Sequence, residues 1–225
     1  MTEVHVVRVF TNEAGEHGNP LGILLDTAKM PAAERQAIAT RLNFSETVFI
    51  DDVAAARLHI HTPALEIPLA GHPLVGSAWF LSQHRGSEVK ALQPVLTREV
   101  ETWQDAGLSW VRASIADAPD WQFVELSSVS EIEALSVPPA PGYDLHEFWA
   151  WADEAGGRVR ARVFGSRYGV AEDEATGSGA LRLTGLLQRP LIIRQGLGSI
   201  IYARPAGNGR GEIGGRVGSD GVRTI

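Results

Sequence analysis

Glu46 stands where a polar turn, Asn43-Phe44-Ser45, runs into the apolar stretch Thr47-Val48-Phe49-Ile50. A carboxylate half-sunk at the mouth of a strand can take a proton from an activated carbon and return it. A solvated strand-end glutamate is the plainer alternative. Two glycine corners, Ala70-Gly71-His72-Pro73 and Thr176-Gly177-Ser178-Gly179, each lead into an apolar helical run. The opening N–H groups of a helix lack internal partners and carry partial positive charge, so such corners attract carboxylates, and glycine lets a ligand come close. The same glycines would also serve merely to cap and pack helices. His72, inside the first corner, could exchange hydrogen bonds with a ligand, and Asp173, shortly before the second, could do the same or cap the helix. Gly177-Ser178-Gly179 is no phosphate loop: it lacks the following Lys-Ser/Thr and the third glycine of a dinucleotide fingerprint.

His59 and His61 lie two apart on a strand and share a face, a geometry open to metal binding or to packing. With His72 they would form the ligand set of a metal-dependent hydrolase, but no third ligand is obvious beside them. A hydrolase triad of Ser45, His72 and Asp173 lacks the Gly-x-Ser-x-Gly elbow. The chain contains no cysteine. That excludes disulfides, thiolate metal sites and thiol proton carriers, and leaves acid–base work to Glu, Asp, His, Tyr or Lys. No metal and no cofactor is expected.

The elements around these residues are legible from pattern. Val4-His5-Val6-Val7-Arg8-Val9-Phe10 and Leu21-Gly22-Ile23-Leu24-Leu25 read as strands, separated by a loop with Gly15 and Gly18. Pro31 opens a rather polar helix that Asn43 stops. Strands follow at 47–50 and 57–62, a short extended piece at 65–69, and an apolar helix from Gly71. Beyond it, Val95-Leu96-Thr97 and Leu108-Ser109-Trp110-Val111 are strand-like, and Asp117-Ala118-Pro119-Asp120 is a turn. Ser130 with Glu133 suggests a capping box on a short helix. Pro138-Pro139-Ala140-Pro141-Gly142 is a break. Strands at 148–151 and 158–164, an apolar helix at 180–187 ended by Pro190, and strands at 191–195 and 199–204 lead into a Gly-rich tail. Each half thus has strands, a glycine corner and an apolar helix, the simplest arrangement that buries both helices.

The 225 residues fit one large domain or two small ones. With 44% hydrophobic and 21% charged residues the composition is that of a folded globular chain. The formal charge of −7 repels a phosphate backbone, so no nucleic-acid partner is expected. No stretch approaches the roughly 18 apolar residues of a membrane span, and the first residues carry no basic flank or apolar core of a signal peptide. No membrane partner and a cytoplasmic home are the expectation.

In order, the chain carries Val9-Phe10-Thr11, Gly18-Asn19-Pro20, Asn43-Phe44-Ser45-Glu46-Thr47-Val48-Phe49 and His61-Thr62-Pro63. Then come Glu66-Ile67-Pro68-Leu69-Ala70-Gly71-His72-Pro73, the run from Phe164 to Gly169, Glu172-Asp173-Glu174-Ala175-Thr176-Gly177-Ser178-Gly179-Ala180, Gln195-Gly196 and Arg204-Pro205. This series resembles the PhzF-like phenazine biosynthesis family of the diaminopimelate-epimerase-like superfamily. It covers roughly residues 4–82 and 163–205, while 88–160 matches nothing.

The resemblance implies an α+β fold of two similar halves, 1–98 and 99–225, with the last strand able to return to the first half. Each half is an antiparallel β-barrel-like sheet wrapped around a central helix, and the active site lies in the cleft between them. It implies a cofactor-independent isomerase that moves a proton within a small anionic, carboxylate-bearing metabolite, and a homodimer. Glu46 matches the general acid/base. His72 and Asp173 match its polar assistants, and Asn19, Gly71, Gly177 and Ser178 match substrate-binding positions. Relatives in the superfamily that invert stereocentres with two cysteines work by a mechanism this chain cannot use. Glu174 stands in place of a usual proline, Gly179 in place of alanine and Ala203 in place of glycine. A small-molecule-binding protein of the same fold, without chemistry, is the alternative.

Overall fold

A computed structural model describes residues 2–137 and 143–225. The break expected at Pro138-Pro139-Ala140-Pro141-Gly142 lies outside the described residues. The first elements are strands Glu3–Thr11 (β1) and Asn19–Leu24 (β2), helix Ala32–Leu42 (α1), strands Glu46–Asp52 (β3), Arg57–His61 (β4) and Glu66–Ile67 (β5), and helix Gly71–Arg85 (α2). Strands Ala91–Pro94 (β6), Val100–Asp105 (β7), Leu108–Ser114 (β8) and Gln122–Glu125 (β9) precede helix Val129–Glu133 (α3). Strands His146–Asp153 (β10), Arg158–Gly165 (β11) and Val170–Asp173 (β12) lead to helix Gly177–Leu187 (α4), then strands Leu191–Gln195 (β13), Ser199–Pro205 (β14) and Arg210–Thr224 (β15).

The strand path β1-β2-β3-β4-β6-β7-β8-β15 returns to β1 and closes a ring around α2. The path continues from β15 through β14, β13, β11 and β10 to β9, forming the sheet that covers α4. Most neighbours are antiparallel. The exceptions among the described residues are β2–β3, β4–β6, β9–β10 and β11–β13. Each of these parallel pairs is bridged by a helix, because parallel strands need a crossover where antiparallel ones need only a turn. The order β2-α1-β3-β4-β5-α2-β6 is thereby repeated as β9-α3-β10-β11-β12-α4-β13. The echo between the halves visible in the sequence is a repeat of the fold.

α2 is largely apolar up to its exposed last turn, Gln83-His84-Arg85, because it is largely buried: Leu74, Val75, Ala78 and Leu81 are fully enclosed. α1 lies outside the ring and buries only Arg35, Ile38 and Ala39; it stops at Asn43, which adopts φ 53° as helix-ending asparagines do. No helix among the described residues is long and apolar enough to cross a membrane.

Three readings need correction. Val95-Leu96-Thr97 is a turn, and its strand lies just before it, at Ala91–Pro94. The short helix is capped by Ser128, whose Oγ accepts from the Glu131 N–H at 3.3 Å, while the Glu131 carboxylate reaches back to the Ser127 N–H at 2.9 Å. The capping device is there, two residues earlier than expected. The Gly-rich tail is the 15-residue strand β15. Glycine normally weakens a strand, but here its lack of a side chain makes room: Trp110 lies over Gly214 and Phe10 over Gly215.

Candidate active site

Glu46 opens β3, opposite Leu21 of β2. Its Oε2 lies 2.7 Å from Nδ1 of His72, the second residue of α2. His72 is 2% exposed and its Nε2 has no hydrogen-bond partner among the described residues. The Glu46–His72 pair therefore joins a strand mouth to a helix start, and the imidazole fixes the carboxylate from behind.

Asp173 closes β12 and is buried. Its Oδ1 accepts from Asn19 Nδ2 and from Ser45 Oγ, each at 2.7 Å, and its Oδ2 accepts from Thr176 Oγ1 at 2.6 Å. Asn19 also donates to the Ala175 carbonyl at 3.1 Å, so one amide side chain ties β2 to the approach of α4. Burial, with the negative charge of Glu46 as the next cause, pushes the Asp173 carboxyl up to about 6, while the hydroxyls of Thr176 and Ser45 and the His72 ring pull it down. The Tyr168 phenol is raised as well, first by burial, with Glu46 adding to it.

The two glycine corners meet. A Cβ on Gly71 would lie 2.7 Å from the Cα of Gly177, and one on Gly177 would lie 2.7 Å from the Cα of Gly71. Only glycine permits this backbone-on-backbone contact. Neither α2 nor α4 has a side-chain cap on its opening N–H groups. Two uncapped helix starts side by side make a concentrated positive pole. Above them opens a narrow cleft, whose lining includes Ser45, Glu46, Leu69, Trp121, Tyr168, Asp173 and Ser178. A larger groove of about 500 Å³ runs past Arg160, Arg162 and Arg194. Arg160 is there held by Glu133 and Arg162 by Glu172, so two of its three cations are already neutralised.

His72 and Asn19 thus hold Glu46 and Asp173 by hydrogen bonds, Gly71 and Gly177 form the contact of the helix starts, and Glu46, Asp173 and Ser178 line the cleft. His59 and His61 do not. His59 lies 2.6 Å from Glu66 and 3.1 Å from Asp51, and His61 Nδ1 lies 2.9 Å from Gln36. No group of three or more metal-ligating side chains is assembled among the described residues. Ser45, Thr176, Tyr168 and Trp121 were not singled out for the cleft by sequence. Ser45 and Thr176 sit inside the quoted motifs and were within reach; Trp121 lies in the stretch that matched nothing.

Glu174 also has a definite place. Its carboxylate accepts from the Leu197 N–H at 2.9 Å and from the Ser199 hydroxyl at 2.7 Å, and Ser199 Oγ in turn accepts from the Gly18 N–H at 3.1 Å. Where a proline would stiffen the backbone, this side chain ties the β13–β14 turn to the segment before Asn19.

Residues 7–104 match the family model described as phenazine biosynthesis-like protein (PhzC-PhzF). Over 200 residues the chain is 33% identical to the trans-2,3-dihydro-3-hydroxyanthranilate isomerase of Pseudomonas chlororaphis, with 72% of each chain covered. This chain belongs to the phenazine biosynthesis-like family. The isomerase of the same name from Pseudomonas aeruginosa is 30% identical over 211 residues, 78% of this chain and 76% of that one. Among solved structures, a PhzF-family phenazine biosynthesis protein from Enterococcus faecalis superposes with a TM-score of 0.77 at 19% identity, covering 100% of this chain and 99% of the other. A probable proline racemase from Agrobacterium radiobacter superposes at 0.64 with 12% identity, covering 100% and 93%. The α+β fold of PhzF-like and racemase-like proteins is therefore the fold of this chain.

Proposed function

We propose that this PhzF-like protein is an isomerase that moves a proton within a small carboxylate-bearing metabolite, with Glu46 as general acid and base and no cofactor. The observation that carries this reading is the Glu46–His72 contact of 2.7 Å at a cleft where two uncapped helix starts meet. The helix N–H groups would hold the substrate carboxylate and the negative charge that develops when the adjacent carbon loses its proton. Glu46, steadied by His72, would take that proton and deliver it elsewhere on the same face. Asp173, with a carboxyl near 6, would assist by holding or releasing a second proton close to neutral pH. The cleft would lie between the halves 1–98 and 99–225. The names of the Pseudomonas relatives support a cyclic amino-carboxylate as substrate.

The test is solvent exchange in D2O with trans-2,3-dihydro-3-hydroxyanthranilate, followed by NMR. The wild type should place deuterium in the product. Glu46→Gln should slow this by at least about 100-fold, the worth of a general acid–base, while still binding the compound. Unchanged exchange in that variant removes Glu46 from the mechanism.

A further inference from the structure

The segment 118–121 hangs on α4. Arg182 donates from Nε and Nη2 to the Ala118 carbonyl at 3.3 and 3.2 Å, and its Nη1 pairs with Asp120 at 2.9 Å. Arg182 is four residues beyond Ser178 and so on the same helix face. At the end of this segment Trp121, 6% exposed, donates its indole N–H to Ser178 Oγ at 3.0 Å. Its ring stands 6.4 Å from that of Tyr168, and Leu69, Pro119 and Val170 complete an apolar slot over the helix starts.

We infer that Trp121 is a positioning and specificity-determining residue: it aims the Ser178 hydroxyl at the ligand's carboxylate and restricts the ligand to an unsaturated ring, flatter than a saturated chair. A hydroxyl has one proton to give and two lone pairs to fill. With one lone pair taken by the indole, the Ser178 O–H is left to point into the cleft, beside the N–H groups of α4. The rings of Trp121 and Tyr168 present rigid walls, and a puckered saturated ring of equal charge meets them edge-on. The inference rests on reading this cleft as the substrate site.

Two probes separate the effects: 2-aminobenzoate, which is flat, and 2-aminocyclohexanecarboxylate, which carries the same groups on a puckered ring. Both are titrated into ¹⁵N-labelled protein while the indole N–H signals are followed. In the wild type the flat probe should bind about 5-fold or more tighter and shift one indole signal that is missing from Trp121→Phe. Trp121→Phe keeps a ring and loses the donor. It should bind the flat probe about 3- to 10-fold more weakly, the worth of one hydrogen bond, and retain the preference. Trp121→Leu should lose the preference, with its circular dichroism checked for a native fold.

Equal binding by wild type and Trp121→Phe overturns the positioning role, and so does an indole signal that does not move. Equal binding of the two probes by the wild type overturns the specificity role. The isomerase reading stands or falls separately, on deuterium incorporation with and without Glu46. Normal exchange in the wild type beside an inert Trp121 would sink this inference alone.

Discussion

Val48 and Glu147 occupy the same place in the two halves of the molecule. Val48 pairs with Ile60, which pairs with Ile67, four residues before the helix glycine Gly71. Glu147 pairs with Val163, which pairs with Asp173, four residues before Gly177. In the first half the position is an ordinary core valine and the third helix residue is Pro73. In the second half it is a glutamate, 1% exposed, with no hydrogen-bond partner on either oxygen among the described residues, and the third helix residue is Gly179. A Cβ at 179 would run into Glu147 Oε2, so the glycine makes the space the acid fills.

Burial pushes the Glu147 carboxyl up to about 8. Asp173 is buried too, though 8% exposed against 1%, and is surrounded by donors, and it reaches only about 6. Depth alone does not make a working acid. Donors and an opening to a cleft bring one carboxyl into the range where it can cycle, and their lack locks the other in its neutral form.

The largest expected effect is on stability. The Glu147 carboxyl is raised in the folded state, so its favourable contribution is complete below its unfolded value of 4.5 and is lost as pH rises to about 8. Glu147→Gln does not titrate. Its stability relative to wild type should climb between pH 5 and pH 8 by as much as roughly 3–5 kcal/mol. Urea unfolding at pH 5, 6.5 and 8 measures this, and a difference that stays flat with pH would erase the contrast between the halves. A smaller effect tests the fit of glycine to acid. Gly179→Ala should cost about 1–3 kcal/mol by overpacking, whereas in a Glu147→Ala background the same change should be nearly free. Additive costs in that double-mutant cycle would mean the two residues do not touch.

How much of this was legible in the sequence differs sharply between regions. Glu46, His72, Asp173 and the two glycine corners lie in short ordered motifs whose chemistry is local, and helix starts and strand mouths announce themselves by composition. Glu147 gave no such sign: a glutamate in His146-Glu147-Phe148-Trp149 reads as a strand's outward residue, and only the tertiary pairing with Gly179 turns it inward. Strand β15 was hidden for a related reason. Its glycines look like a tail until Trp110 and Phe10, distant in sequence, are laid across them. Trp121 follows a Pro-Asp turn with no periodicity, and its value comes from Ser178, 57 positions away. Motifs carry backbone-encoded sites, whereas long-range steric matches leave no local pattern to read.

The smallest effect tests whether donors set Asp173 apart from Glu147. Ser45 is the donor to remove. Asn19 also holds the Ala175 carbonyl, so losing it would shift the β2 strap, and Thr176 also accepts from Gln195. Among the described residues the Ser45 hydroxyl hydrogen-bonds only with Asp173 Oδ1 at 2.7 Å and, more distantly, Asn19 Oδ1 at 3.3 Å. Ser45→Ala removes one hydrogen bond that favours the charged carboxylate, so Asp173 should hold its proton to a higher pH, by about half a unit to one unit. ¹³C NMR of the aspartate carboxyls through pH 4–8 reads this directly. Movement toward the Glu147 value shows that the effect of burial is being tuned by its partners. An Asp173 titration that stays near 6 would assign the difference between the two acids to their surroundings as a whole, and the hydrogen bonds to Asp173 would then serve position alone.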